Sequence, residues 1–320
     1  MVLLTTDVGV AEVVVTVDRA YVLTDQIEAE RLRAEELPRE LEVLACPWTE
    51  RPAAWDEAVR DCADGGEIAS DRPAHGEMQL PAGLLELRWS LGPEEVERYR
   101  GLGRDAADAM TDVLQAARPE WTGWELAGAG AEALWARGIE PALTLAAGER
   151  RVSIDRHATA KHEKLGARAM LVFCARRHGL FANLTRFVYF RAPDGKERAL
   201  DGAAAEVEAD ALDALRPGVT LGAMYDLFGQ SYARHGHPGG ERAHHQGGTC
   251  GYLSRDVVAV PGCAVAVQRD NAVAFNPSLP GAKIEDTVLV REGGIEVLTR
   301  DPRWPVRTVR GRARPDLLVR

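Results

Sequence analysis

Two short segments of this chain share an opening and a setting. Arg118-Pro119-Glu120-Trp121-Thr122 and Arg216-Pro217-Gly218-Val219-Thr220 each follow an Ala-rich stretch with helical patterning. A helix, a Pro-marked turn and a second helix, used twice, predict a duplicated αβ unit. A pocket built by such a duplication is expected where its halves meet. The segments around 172–186, 244–252 and 276–286 are therefore the ones to read for chemistry.

Bulk properties narrow the class. At 320 residues the chain is long enough for one large domain and a smaller one. With 46% hydrophobic and 28% charged residues it has the composition of a globular protein. A formal net charge of -10 disfavours nucleic acid as a partner. The Arg-rich end from Arg303 to Arg320 is read as a solvated terminus. The longest apolar candidate, Val257 to Val267, is broken by Pro261 and Gly262 and falls short of the ~20 residues that span a bilayer. The opening residues Met1 to Asp7 lack the basic start and apolar stretch of a secretory signal. Five cysteines without paired spacing fit a reducing compartment. The expectation is a cytoplasmic protein with no membrane partner.

Residues 1–85 read as a small α/β unit: β-rich runs at Val13–Val17 and Tyr21–Thr24 around an Asp18-Arg19 turn, then a charged helix from Glu28 to Glu42. A Gly- and Pro-interrupted stretch from Asp61 to Pro81 marks the boundary, which places a second domain over 86–320. Gly92-Pro93-Glu94-Glu95 opens a long helix with Val96, Tyr99, Leu102, Ala106 and Met110 on its buried face. A helix from Thr122 to Arg137 stops at Gly138, and Met170–Ala175 and Leu184–Phe190 read as strands. Helices at Glu206–Leu215 and Leu221–Gly236 repeat the pair. Strands follow at Val257–Val260, Val265–Gln268, Ala272–Phe275, Asp286–Val290 and Ile295–Thr299. Two helix pairs with strands from the same half-chains predict an α+β layer architecture.

The densest polar cluster is Glu241-Arg242-Ala243-His244-His245-Gln246-Gly247-Gly248-Thr249-Cys250-Gly251-Tyr252. Glycines admit a ligand close to the backbone, and the histidines offer acid, base or metal-binding nitrogen. If this segment is a strand, only one of His244 and His245 faces a given pocket. The plainer alternative is a surface turn with solvated histidines. Glu285-Asp286 opens an apolar strand, either as a turn or with Glu285 in a pocket and Asp286 in a supporting hydrogen bond. Arg156-His157 and Arg176-Arg177-His178 are further basic groups. Cys174 and Cys250 lie near these segments as possible nucleophiles, buried structural cysteine being the plainer reading.

In this order the motifs resemble the pita-bread family of creatinase, prolidase and methionine aminopeptidase: duplicated Arg-Pro-x-x-Thr helices, Asn183-Leu184-Thr185-Arg186, the His244 segment and Lys283-Ile284-Glu285-Asp286-Thr287. The resemblance covers about residues 88–300, residues 1–85 being similar to a shortened creatinase-like N-terminal domain. It is closer still to bacterial proline-peptidase-like homologues with an Arg-His loop, a Cys-Ala-Arg-Arg strand and a His-His-Gln-Gly-Gly segment. It implies a pita-bread domain, a curved antiparallel sheet under two pseudo-symmetric helix pairs, and a homodimer.

The metallopeptidases of that family hold paired divalent ions with two aspartates, a histidine and two glutamates. Here Val172 and Asn183 take the aspartate positions, His244 (or His245 with a shift of one) the histidine, Asn276 the first glutamate and Glu285 the last. One carboxylate cannot offset a pair of dications, so the resemblance implies neither metal nor other cofactor. By analogy with creatinase, His244, His245 and Glu285 are the catalytic candidates. His157 and Arg186 would orient a substrate carboxylate, with Asn183, Asn276, Arg176, Cys174 and Tyr252 completing the lining. The implied activity is metal-independent acid–base cleavage of a C–N bond, or a related elimination or isomerisation, in a small amide or amino-acid-derived metabolite. A non-catalytic binding protein and a metalloenzyme with rearranged ligands are the alternatives.

Overall fold

The structure is a computed structural model. It describes residues 10–73 and 76–320 and falls into two units, residues 1–85 and 86–320. The Met1–Asp7 segment lies outside the described residues. In the first unit β1 (Glu12–Val15) and β2 (Ala20–Asp25) form an antiparallel hairpin. The Thr16 hydroxyl donates to Asp18 and accepts the Arg19 amide, which closes the turn. The charged helix is shorter than its sequence predicts: α1 spans Ala29–Glu35. Pro38 lacks an amide donor and disfavours helix in the residue before it. The chain then returns as β3 (Glu42–Cys46), parallel to β2. After α2 (Arg51–Ala63) come a short parallel pair, β4 (Ala69–Ser70) and β5 (Met78–Gln79), and α3 (Ala82–Glu86).

The second unit begins with α4 (Pro93–Ala116), α5 (Gly123–Trp135), β6 (Glu140–Gly148), α6 (Glu149–Val152), β7 (Arg168–Arg177) and β8 (Leu180–Tyr189). Its second half carries α7 (Gly195–Ala214), α8 (Leu221–Arg234), β9 (Gly247–Cys250), β10 (Val257–Val258) and β11 (Ala272–Phe275). It continues with β12 (Ser278–Leu279), β13 (Ala282–Lys283), β14 (Asp286–Arg291) and β15 (Gly294–Val297). The end of the chain adds β16 (Val306–Val309), β17 (Arg312–Pro315) and β18 (Leu318–Val319).

The duplication is real at the level of single hydrogen bonds. Thr122 and Thr220 each occupy the N-cap of the second helix of a pair and accept an amide three residues on, from Glu125 and Ala223, both at 3.2 Å. Each threonine also makes one antiparallel bridge to an extended segment, at Lys164 and Ala266. Gly123 and Gly222 allow this close approach, since a Cβ at either would stand about 3 Å or less from the backbone of Lys161 or Cys263. The strand expected over Val265–Gln268 is this single bridge, and the one over Val257–Val260 is only the two-residue β10.

The helix expected over 206–215 begins much earlier, at Gly195. Asp194 caps it and Glu197 reaches back to the Asp194 amide, a reciprocal start that overrides the helix-weakening Gly195 and Gly202. The whole expected apolar face of α4, Val96 to Met110, is buried.

One sheet has the order β18-β8-β7-β6 and the other β10-β9-β11-β14-β15. Strands β7 and β8 turn through His178 and Gly179, both at positive φ, which matches the twist of a tight hairpin. Register then sets Val172 opposite Thr185 and Cys174 opposite Asn183. The two sheets meet through a bridge between Thr185 and Glu285. Beside it, the Thr287 hydroxyl takes the Asn183 amide at 2.7 Å and donates to the Asn183 carbonyl at 3.0 Å.

The Arg-rich end is not a solvated tail. Arg314 is buried because Glu208, at 2.5 Å, and Asp286, at 2.7 Å, neutralise it, and Arg307 pairs with Asp201 at 2.5 Å. Among the described residues no helix is long and apolar enough to cross a membrane.

Thr122→Ala and Thr220→Ala should each destabilise the protein by about 1 kcal/mol. Because the caps share no partner, the double variant should lose about 2 kcal/mol. Urea unfolding of the four proteins measures this, and a double variant no worse than either single would contradict two independent caps.

Candidate functional site

Successive residues of an extended strand point to opposite faces, and the seam uses this twice. Thr185 and Glu285 face one side, Arg186 and Asp286 the other. On the first side Glu285 is buried with both oxygens engaged. Oε1 accepts from Arg255 at 2.7 Å, and Oε2 accepts from the Thr185 hydroxyl at 2.7 Å with the Lys283 ammonium 3.9 Å away. Burial alone would raise the Glu285 pKa, but Lys283, Arg255 and Thr185 together hold it below its ordinary value. Glu285 is thus a fixed anion and no proton donor near neutrality. The Lys283 pKa moves down, because burial outweighs the pull of Glu285.

On the second side Arg186 donates to Asp286 at 2.6 Å and to the carbonyls of Thr185, Glu285 and Thr299. Asp286 also holds Arg314 and the Thr299 hydroxyl. Both terminal nitrogens of Arg186 are spent inside this network, so its expected role in orienting a substrate carboxylate is corrected to a structural one. Asp286 thus supports the Arg186 side of the seam and makes no hydrogen bond to Glu285.

The histidines are the main revision. His244 and His245 do not lie on a strand: a short turn at Gly240–Arg242 precedes them, and β9 starts only at Gly247. Freed from strand alternation, their rings stack at 4.4 Å, 24° apart. His157, from the loop after α6, stands edge-on to both, at 4.4 Å from His244 and 5.4 Å from His245. Gln246 fixes the turn, donating to the His244 carbonyl at 2.5 Å while its own oxygen accepts from Tyr232 at 3.1 Å. Gly247, at φ +94°, is where the next strand presses in: a Cβ there would lie 2.0 Å from the Ala274 carbonyl oxygen.

His157 and His245 each keep over a third of their surface open to solvent although protein crowds their other sides, and His244 sits deeper. Apart from a backbone contact with His245, neither nitrogen of His244 finds a partner among the described residues. Burial, then Lys283 and the neighbouring rings, pushes its pKa down to about 2. Burial and Arg255 push His245 down to about 4, and burial and Lys283 lower His157. All three rings are neutral at pH 7, with lone pairs free.

The remaining candidates divide. Asn183 and Asn276 line the buried side of the seam, and the side-chain oxygen of each has no partner among the described residues. Val172 is packed in an apolar cluster with Leu145, Met170 and Phe187. Cys174 is near Glu285, but burial and that carboxylate push its pKa up to about 12, and Cys250 goes up to about 11 for want of solvent; neither is a thiolate. Arg176 is withdrawn from the site by Glu140, at 2.9 Å, and Tyr252 by a hydrogen bond to Glu95. Lys283 and Arg255, which flank Glu285, were not among the sequence candidates, nor was Arg156, the chain neighbour of His157. Arg156 is half-buried, its guanidinium has no carboxylate partner among the described residues, and burial lowers its pKa.

The sequence model of the metallopeptidase family M24 matches residues 97–292. No protein of curated function matches the chain in sequence. Among solved structures, the prolidase from Pyrococcus furiosus superposes with a TM-score of 0.76 at 18% identity, covering 93% of this chain and 92% of that one. The Xaa-Pro dipeptidase from Bacillus anthracis gives 0.74 at 16%, covering 97% and 89%. Dipeptidase PepE from Mycobacterium ulcerans gives 0.75 at 19%, covering 97% and 86%. At such identities these structures establish the fold, which is the pita-bread fold. At the positions that the resemblance assigns to metal ligands stand Val172, Asn183 and Asn276, and both oxygens of Glu285 already serve protein donors, a set that does not fit paired metal ions.

The neutral imidazoles carry a stability consequence. Below pH 6.5 an unfolded histidine takes up a proton that folded His244 and His245 refuse, so stability falls as pH drops from about 6.5 toward 4. A His244→Gln/His245→Gln variant should show a flatter decline over that window in urea unfolding. An unchanged slope would mean that these rings are not held neutral.

Proposed function

We propose, for a chain that belongs to the metallopeptidase family M24, an enzyme that hydrolyses a C–N bond in a small anionic amide or amino-acid conjugate, independently of metal. The observation that carries this reading is the exchange of charge at Glu285. Lys283 and Arg255 supply next to that carboxylate the positive charge that a metallopeptidase draws from its ions.

The roles follow from accessibility. Arg156, whose guanidinium has no carboxylate partner among the described residues, takes the substrate carboxylate in place of Arg186. His245, neutral and open to solvent, is the base; His244, with both nitrogens shielded, supports it. A water oxygen attacks the amide carbonyl carbon while His245 accepts the water proton. The C–N bond breaks as the imidazolium returns that proton to the leaving nitrogen. Lys283 stabilises the oxyanion formed in between. The buried, unpartnered amide oxygens of Asn183 and Asn276 suit a neutral N–H donor better than a guanidinium. A homodimer working in a reducing cytoplasm completes the reading, which its unpaired cysteines suit.

The test is a screen of small amides, N-acyl amino acids and dipeptides with the full chain, before and after chelation. Turnover should survive chelator. His245→Ala should lower kcat by about 10²–10⁴-fold, and Arg156→Ala should raise KM for carboxylate-bearing substrates alone. Loss of activity on chelation, restored by two equivalents of metal, would defeat the proposal. Ligand binding that His245→Ala leaves intact, with no turnover in either form, would defeat it in favour of a binding protein.

A further inference from the structure

We propose that His157, His244 and His245 form a site for a single divalent transition-metal ion such as zinc, in which one ring at most, His244 or His245, coincides with a ligand position of a two-metal centre. One nitrogen from each ring can be chosen so that all three lie within 4.8 Å of one another. Tetrahedral zinc with Zn–N bonds of about 2.1 Å needs ligand nitrogens roughly 3.4 Å apart. The rings therefore have to close slightly, and all three stand on irregular chain outside helices and strands. The packing of the rings gives independent support. Imidazoles stacked and edge-on to one another gain little as polar groups, and His244 keeps both nitrogens shielded with no side-chain partner. A metal ion converts those unused lone pairs into bonds.

The surroundings set the properties of the site. His157 and His245 are open to solvent, so the fourth position is reachable, unlike that of a closed structural site. Buried Lys283 and Arg255 lie near the rings with only Glu285 as counter-charge. That excess positive charge weakens binding of a bare dication and favours an anionic fourth ligand, so a small carboxylate should tighten the complex. Imidazole ligands select zinc, cobalt or nickel over magnesium and manganese. This inference rests on the proposed function in one respect: a lone pair bound to metal cannot accept a proton, so the ion should inhibit the metal-independent enzyme.

The experiment uses the full chain freed of metal by chelation and dialysis. Cobalt(II) titration should give the intense visible absorption of a four-coordinate ion at one equivalent per chain, displaced by zinc and strengthened by acetate. His157→Ala, His244→Ala and His245→Ala should each weaken binding tenfold or more. Lys283→Met should bind cobalt more tightly, an effect that a mere loss of folding would not produce. Absence of the absorption, or binding that the three alanine variants do not change, would overturn the site. Zinc binding with undiminished turnover would leave the site standing and remove the imidazole base from the proposed function.

Discussion

Two consecutive carboxylates at the start of one strand organise the second unit. Glu285 and Asp286 are both buried, and strand geometry sends them to opposite faces of the seam where the sheets meet. A buried carboxylate without compensation costs several kcal/mol. Each here is compensated by two protein cations and a hydroxyl: Arg255, Lys283 and Thr185 for one, Arg186, Arg314 and Thr299 for the other. Removing one member of either set leaves the rest buried and unpaired, a loss of about 3–5 kcal/mol for a buried pair. The network therefore joins the halves and fixes the electrostatics of the site in the same contacts.

That arrangement bears on how many carboxylates the seam needs. Paired dications in this position require several anionic ligands; a lysine and an arginine require far fewer. With Asn183 and Asn276 neutral, the side facing the histidines holds one carboxylate against two cations. Burial first, and this residual positive charge second, keep the three imidazoles unprotonated. Substitutions that look like decay when taken position by position are consistent with one another once Lys283 and Arg255 are counted.

How far the sequence was legible depended on the range of the determining interaction. The duplicated helix pairs could be read because their signals are local: a proline, a turn and an apolar stripe at helical spacing. The start of α7 was equally local, in Asp194 and Glu197, yet its glycines masked it. The opposite facing of Glu285 and Asp286 follows from strand alternation alone. The fate of Arg186 was not, because it depends on Thr299 and Asp286, far away in the chain. Arg314 went unrecognised for the same reason: a run of arginines looks solvated until Glu208 and Asp286 are brought to it.

The histidine pair shows where periodicity misleads. Two adjacent histidines on a strand would be separated by the sheet, and that rule assigned only one of them to the site. The rule failed because Gly247, at positive φ, and the Gln246 hydrogen bonds place the pair in irregular chain just before the strand begins. Neutral rings follow first from burial and then from the nearby cations, and their lone pairs are what a proton or a metal ion would have to use. The two uses draw on the same lone pairs, so the site can serve only one at a time. Solvent access at His157 and His245, together with whatever anion Lys283 attracts, decides which.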